Sequence, residues 1–201
     1  MAHEAIDDLI NRGALWRGRA PVSSGQRYEP TGWRVLDDCI GGWPRGAVCE
    51  LLSPGRQGLS LLLPLLVRLS QGDRWLAWVG PPYLPYAPAL AVAGVDLQRI
   101  LLVQEKDPQQ CLWASEQLLR SSSCALVLAW PEQLQAAQLR RLQLAAEQGG
   151  GTGVLFRSLR ATSQASHAAL RLRVMPSPIG LDVAVLKRPG GWGGQHCSVP
   201  L

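Results

Sequence analysis

The chain has 201 residues, 47% of them hydrophobic and 17% charged, with a formal net charge of +5, which is the size and balance of one globular domain. No apolar stretch nears the roughly 18 residues a membrane-crossing helix requires, because Arg68 closes the longest run and Pro64 interrupts it. Nearly all of the excess positive charge falls after Gly151, where Arg157, Arg160, Arg171, Arg173, Lys187 and Arg188 face Asp182 alone.

Residues 1–30 read as a short amphipathic helix and a flexible Gly/Pro/Ser-containing arm. That start has no apolar h-region, so no secretory signal is read there and a cytoplasmic location is expected. From Thr31 to Arg188 apolar runs alternate with helical stretches, the mark of an α/β domain. Strands are expected at 47–52, 74–79, 100–103, 124–130 and 153–156. Their near-continuous apolar character suits a mainly parallel sheet flanked by helices on both faces. Helices are expected at 58–70, bent by Pro64, and at 132–148, ending at the glycines 149–151.

Past Phe156 the period changes to two. Leu170, Leu172 and Val174 alternate with arginines and a second run follows at 181–186, which predicts a C-terminal antiparallel hairpin at the sheet edge. Residues 189–201 read as a Gly-rich flexible tail. Trp75, Trp78, Trp113 and Trp130 are expected in packing, while Trp33, Trp43 and Trp192, beside Gly or Pro, are expected to be exposed. The five cysteines are odd in number and contain no C-x-x-C pair, so they read as small buried hydrophobes plus one tail thiol. The histidines show no metal-ligand spacing, and no metal is expected.

The turn from the first strand into the first helix is where a parallel sheet would hold a phosphate. Residues 53–60, SPGRQGLS, have the length of the pattern G-x-x-x-x-G-K-[ST]. Gly58 and Ser60 fit it. Ser53 replaces the first glycine and Leu59 the lysine that neutralises phosphate charge, and Arg56 would have to fold back to substitute. The strand at 124–130 ends without a metal-organising carboxylate, and none lies between Arg74 and Asp96. The expectation is a protein without catalytic residues or cofactor.

The segment 31–55, TGWRVLDDCIGGWPRGAVCELLSPG, resembles the entry to a RecA-type core. With LWRGR, LAWVGPPYLPYAPAL, LRRLQLAAE and AALRLRV it resembles the ImuA family, also described as SulA-like, over about residues 14–188. That resemblance implies a RecA-like fold and a non-catalytic role in SOS-induced mutagenic translesion synthesis. The implied partners are ImuB, RecA or both, with an error-prone polymerase reached indirectly. The alternative it leaves open is a SulA-like inhibitor that binds FtsZ and blocks division. An ATPase with a relocated site would need a charge source that the sequence does not supply.

Two surfaces follow as candidates. Leu15, Trp16 and Arg17 could anchor RecA or another copy of the chain, or Trp16 could fold back on its own domain. Arg157, Arg160, Arg171 and Arg173 could form a patch for single-stranded DNA or a protein partner, or lie on a solvated strand face.

Overall fold

The computed structural model describes residues 28–191 and 193–201. A two-residue strand, β1 (Tyr28–Glu29), pairs antiparallel with β2 (Trp43–Pro44), and helix α1 (Arg34–Ile40) lies between them. The main sheet is built from β3 (Ala47–Ser53), β4 (Trp75–Val79), β5 (Ile100–Val103), β6 (Cys124–Ala129), β7 (Thr152–Ser158), β8 (Leu170–Ser177), β9 (Gly180–Lys187) and β10 (His196–Pro200). Their order across the sheet is β10-β9-β8-β3-β7-β6-β4-β5. From β8 to β5 all neighbours are parallel, and β9 and β10 add antiparallel. The result is a mixed α/β sheet.

Successive side chains of each strand enter opposite layers. Leu76 and Trp78 of β4 and Leu126 and Leu128 of β6 join the layer of α1, α2 (Leu63–Ser70) and α3 (Ala87–Val92). Ala77, Val79, Val127 and Ala129 join the layer of α4 (Pro108–Arg120) and α5 (Ala136–Gly149). With both faces covered, β3 and β6 are buried at every position, which is why they carry no hydrophobic alternation.

The expected helix at 58–70 is two pieces. Leu59–Leu62 forms a 3-10 turn, and Pro64 sits in the first turn of α2, where its missing N–H leaves no bond broken. Pro64 therefore starts a helix instead of bending one. The entry segment leans on it: Gly32 has φ +85°, and a Cβ there would stand 2.3 Å from the Pro64 Cβ. Trp33 Nε1 donates to the Leu61 carbonyl at 3.0 Å and closes the same corner.

Helix α5 begins at Ala136, four residues later than expected, where the Gln138 side chain accepts the Gln135 N–H at 2.8 Å. It ends on Gly150 at φ 69° in the left-handed region, as the glycine run foretold. Gly149 permits close approach to α4, since a Cβ there would lie 1.9 Å from the Leu119 carbonyl oxygen.

Further expectations fail. The tail does not hang free: the glycines between β9 and β10 make a turn, and β10 caps the sheet edge with Val199 fully buried. The Gly194 N–H donates to Val185 at 2.7 Å and the Val185 N–H to Gln195 at 2.8 Å, which starts the pairing. Trp43 is buried in the core, whereas Trp75 and Trp113 are exposed. Trp78 is buried, and Trp130 stacks on Phe156 with ring centroids 4.6 Å apart. Trp33 is half-buried, and Trp192 lies outside the described residues. Among the described residues no helix is long and apolar enough to cross a membrane.

Candidate functional site

The loop after β3 is held down by the protein itself. Ser53 Oγ donates to the Gln57 carbonyl at 2.7 Å, pulling the segment shut, and Gly55, Arg56 and Gly58 all take positive φ. Where a Cβ on Gly58 would stand, methyl groups of Leu51 and Val174 lie 3.7 Å away, so that side of the loop faces hydrocarbon. Leu59 packs against the apolar layer of α1 and α2 and Ser60 is half-buried beside it. The loop's own charge is already engaged, because Arg56 Nη1 donates to the Trp130 carbonyl at 3.3 Å and Nη2 stands 3.6 Å from Glu132.

The four-arginine patch does not exist as a surface. Glu50, in the middle of β3, is fully buried, and Arg157 on β7 and Arg171 on β8 converge on it from either side. Arg157 Nη1 donates to Glu50 Oε1 at 2.5 Å, Arg171 Nε to Oε2 at 2.6 Å, and Ser166 Oγ to Oε2 at 2.7 Å. The remaining donors of both guanidinium groups reach the connection that follows β7. Arg157 Nη2 meets the Gln164 side chain at 2.9 Å, while Arg171 meets the carbonyls of Gln164 at 3.2 Å and Ala161 at 2.6 Å.

That cluster pins the connection between β7 and β8. Arg160 and Arg173 are exposed, on the 3-10 turn Leu159–Ser163 and on β8, and have no part in it. Sequence reasoning passed over Glu50. Its signal was a lone carboxylate inside an otherwise apolar strand, and a charge there needs a buried partner. Leu15, Trp16 and Arg17 lie outside the described residues.

What the structure does offer to solvent is apolar. Beyond β4 the chain runs through Pro81, Pro82, Pro85 and Pro88 into α3, and this stretch shows Tyr83, Leu84, Tyr86 and Val92 to solvent at 85, 68, 73 and 91%. Of α3's six residues only Leu90 is buried, so the helix holds to the body by a single side chain. Large apolar groups exposed in a run are the usual sign of a surface that meets a partner. The prolines fix φ through the segment, so little backbone freedom is left to lose on docking.

The ledge borders a cleft of about 420 Å³ at the carboxyl ends of β4 and β6, where Gly80, Pro82, Glu105, Cys111 and Trp130 are among the lining residues. The connections leaving β4 and β6 run to opposite faces of the sheet there, the usual setting of a crevice in an open α/β sheet. At its rim, Glu105 accepts the backbone N–H of Lys106 at 2.6 Å and of Asp107 at 3.0 Å, which holds its carboxyl below the usual glutamate range.

An open, mostly parallel α/β sheet with a self-filled first loop and an outward apolar ledge defines the class. The family model "Cell division inhibitor SulA" matches residues 49–153, and the chain belongs to the SulA family. A cell division inhibitor SulA from Edwardsiella piscicida is 35% identical over 113 residues, covering 55% of this chain and 67% of that protein. One from Yersinia pestis (strain Pestoides F) is 31% identical, covering 57% and 68%. The crystal structure of SulA from Pseudomonas aeruginosa has 33% identity over 55% of this chain and 97% of that one, with a TM-score of 0.47.

These matches correct the expectation of a translesion accessory acting with ImuB or RecA, since the relatives are named as division inhibitors. They also cut across the sequence-predicted surfaces. The matched block contains the loop 53–60 and the whole ledge, and leaves out residues 15–17 and all four arginines of the supposed patch.

Proposed function

We propose that the protein inhibits cell division by binding a division protein through the ledge, with Tyr83, Leu84 and Tyr86 as anchors. The partner is FtsZ, the alternative that the family resemblance left open. The observation that carries this reading is the run of exposed large apolar side chains inside the block shared with the division inhibitors. Aromatic groups seated on a restrained backbone are the residue type that dominates interface energetics. The protein then works by occupancy and performs no reaction. Two contacts support that part: Leu59 lies against hydrocarbon, and Arg56 is spent on Trp130 and Glu132. The descent of the loop from a RecA-type phosphate site belongs to the same proposal, as does induction in the SOS response.

Expression in a bacterial host should produce filaments, and the purified chain should co-sediment with FtsZ and lower its polymerisation. The variant Tyr83→Ala/Leu84→Ala/Tyr86→Ala should lose both effects while keeping its thermal midpoint. Cells of normal length together with no FtsZ association for the wild-type chain would end the proposal. Retention of both effects by the folded triple variant would remove the ledge from it. Saturable binding of Mg-ATP in a calorimeter would overturn the reading of the loop.

A further inference from the structure

The cysteines divide into classes that their spacing does not reveal. Cys49 and Cys124 are buried in the sheet, and burial pushes both thiols up. Cys111 is half-buried and donates to the Glu105 carbonyl at 3.3 Å. Cys39 and Cys197 form a pair. Cys39 stands at the end of α1 and Cys197 on β10, both half-buried and both packed against the same apolar layer. Cys39 Sγ lies 3.9 Å from the backbone oxygen of His196, the residue before Cys197, and the Cys39 thiol stands near enough to help push the Cys197 thiol up.

Neither thiol reached that position on a loose segment. Leu36 and Ile40 anchor α1 in the core, and Arg188 Nη1 donates to the Cys39 carbonyl at 2.7 Å. Opposite, β10 is fixed by its full register with β9 and by buried Val199. Two partly accessible sulfurs held together on separate rigid elements are the arrangement from which a disulfide closes with little backbone movement.

We propose that Cys39 and Cys197 form a reversible disulfide with a peroxide as oxidant, stapling the edge strand β10 to α1. The Cys39 thiolate attacks one peroxide oxygen, the O–O bond breaks and hydroxide leaves, giving a sulfenic acid. Cys197 then yields its proton to that hydroxide, and its sulfur displaces the second hydroxyl, which leaves as hydroxide and takes up the proton that Cys39 had lost. Two thiols and one hydrogen peroxide become one disulfide and two waters, both sulfurs being oxidised and the peroxide reduced. Burial first, and then the neighbouring Cys39 thiol, pushes the Cys197 thiol up to about 12. The bond would close nearly the whole described chain into one loop, the case in which a cross-link most restricts the unfolded chain.

The test uses the full chain with hydrogen peroxide, followed by alkylation, digestion and mass spectrometry. The expected result is loss of two of the five free thiols, one linked peptide pair joining Cys39 to Cys197, a higher thermal midpoint, and reversal of all three by dithiothreitol. Cys39→Ser and Cys197→Ser should each abolish the intrachain link and the oxidant-dependent midpoint shift, while Cys111→Ser leaves both unchanged. If either serine variant does not fold, the wild-type peptide map decides. Cys39 and Cys197 remaining fully alkylatable after Cys111 has been oxidised, or links that pair Cys111 or join two chains, would overturn the proposal.

Discussion

On the β8 side of the sheet two arginines turn inward onto Glu50, while beyond β4 two tyrosines and a leucine turn outward into water. By composition alone the first region looks like a binding surface and the second like core. The reversal follows from what covers each. The 3-10 turn Leu159–Ser163 lies over β7 and β8, so a charge on that face must find its counter-charge inside the protein. Over the ledge the described residues supply only the shallow seat of Leu90. Charge here holds a connection in place, and apolar surface is what remains for a partner.

The sharpest way to break this contrast is Glu50→Gln. It leaves two buried guanidinium groups without a counter-charge and should cost about 3–5 kcal/mol, seen as a melting point lower by roughly 6–20 °C. Arg160→Ala and Arg173→Ala should stay within about 0.5 kcal/mol of the parent, because those side chains are exposed. Equal losses for all four arginines would erase the distinction between the buried and exposed members.

At the ledge the effect should move from stability to binding. Tyr83→Ala or Tyr86→Ala should each weaken FtsZ binding by about 2 kcal/mol, roughly 30-fold, with denaturant midpoints unchanged. Fluorescence titration beside urea unfolding separates the two quantities. A fall in stability without a fall in affinity would place these rings in the core after all.

Leu59→Lys tests whether the loop belongs with the closed region. Restoring the lysine of the phosphate-loop pattern should destabilise the fold by about 1–3 kcal/mol, since an ammonium replaces hydrocarbon packed on the α1–α2 layer. It should restore no ATP binding by calorimetry, because the Ser53 hydroxyl still closes the loop onto Gln57.

The smallest effect concerns Glu105 at the mouth of the cleft. Its folded carboxyl titrates below the unfolded value, so its contribution is complete above the ordinary glutamate range and is lost as pH falls through the folded value. Wild type should exceed Glu105→Gln in stability near neutral pH, and the gap should close in acid. A gap that widens in acid would contradict the two backbone hydrogen bonds.

The sequence by itself determined the α/β class, the strands 47–52, 100–103 and 124–130 to within a residue of the observed ones, the glycine stop of α5 and the misfit of residues 53–60 to a phosphate loop. Each of these rests on local chemistry, such as an apolar run, a left-handed cap or a missing lysine. Only the tertiary structure decided which charges are spent inside. The period-two reading of β8 put Arg171 outside with Arg173, and the two do share a face, yet pairing with β3 sets Arg171 opposite Glu50, a residue far away along the chain, and the 3-10 turn covers it. Tertiary contacts also made the tail an edge strand and brought Cys39 against β10, because pairing between distant segments leaves no local mark in either one.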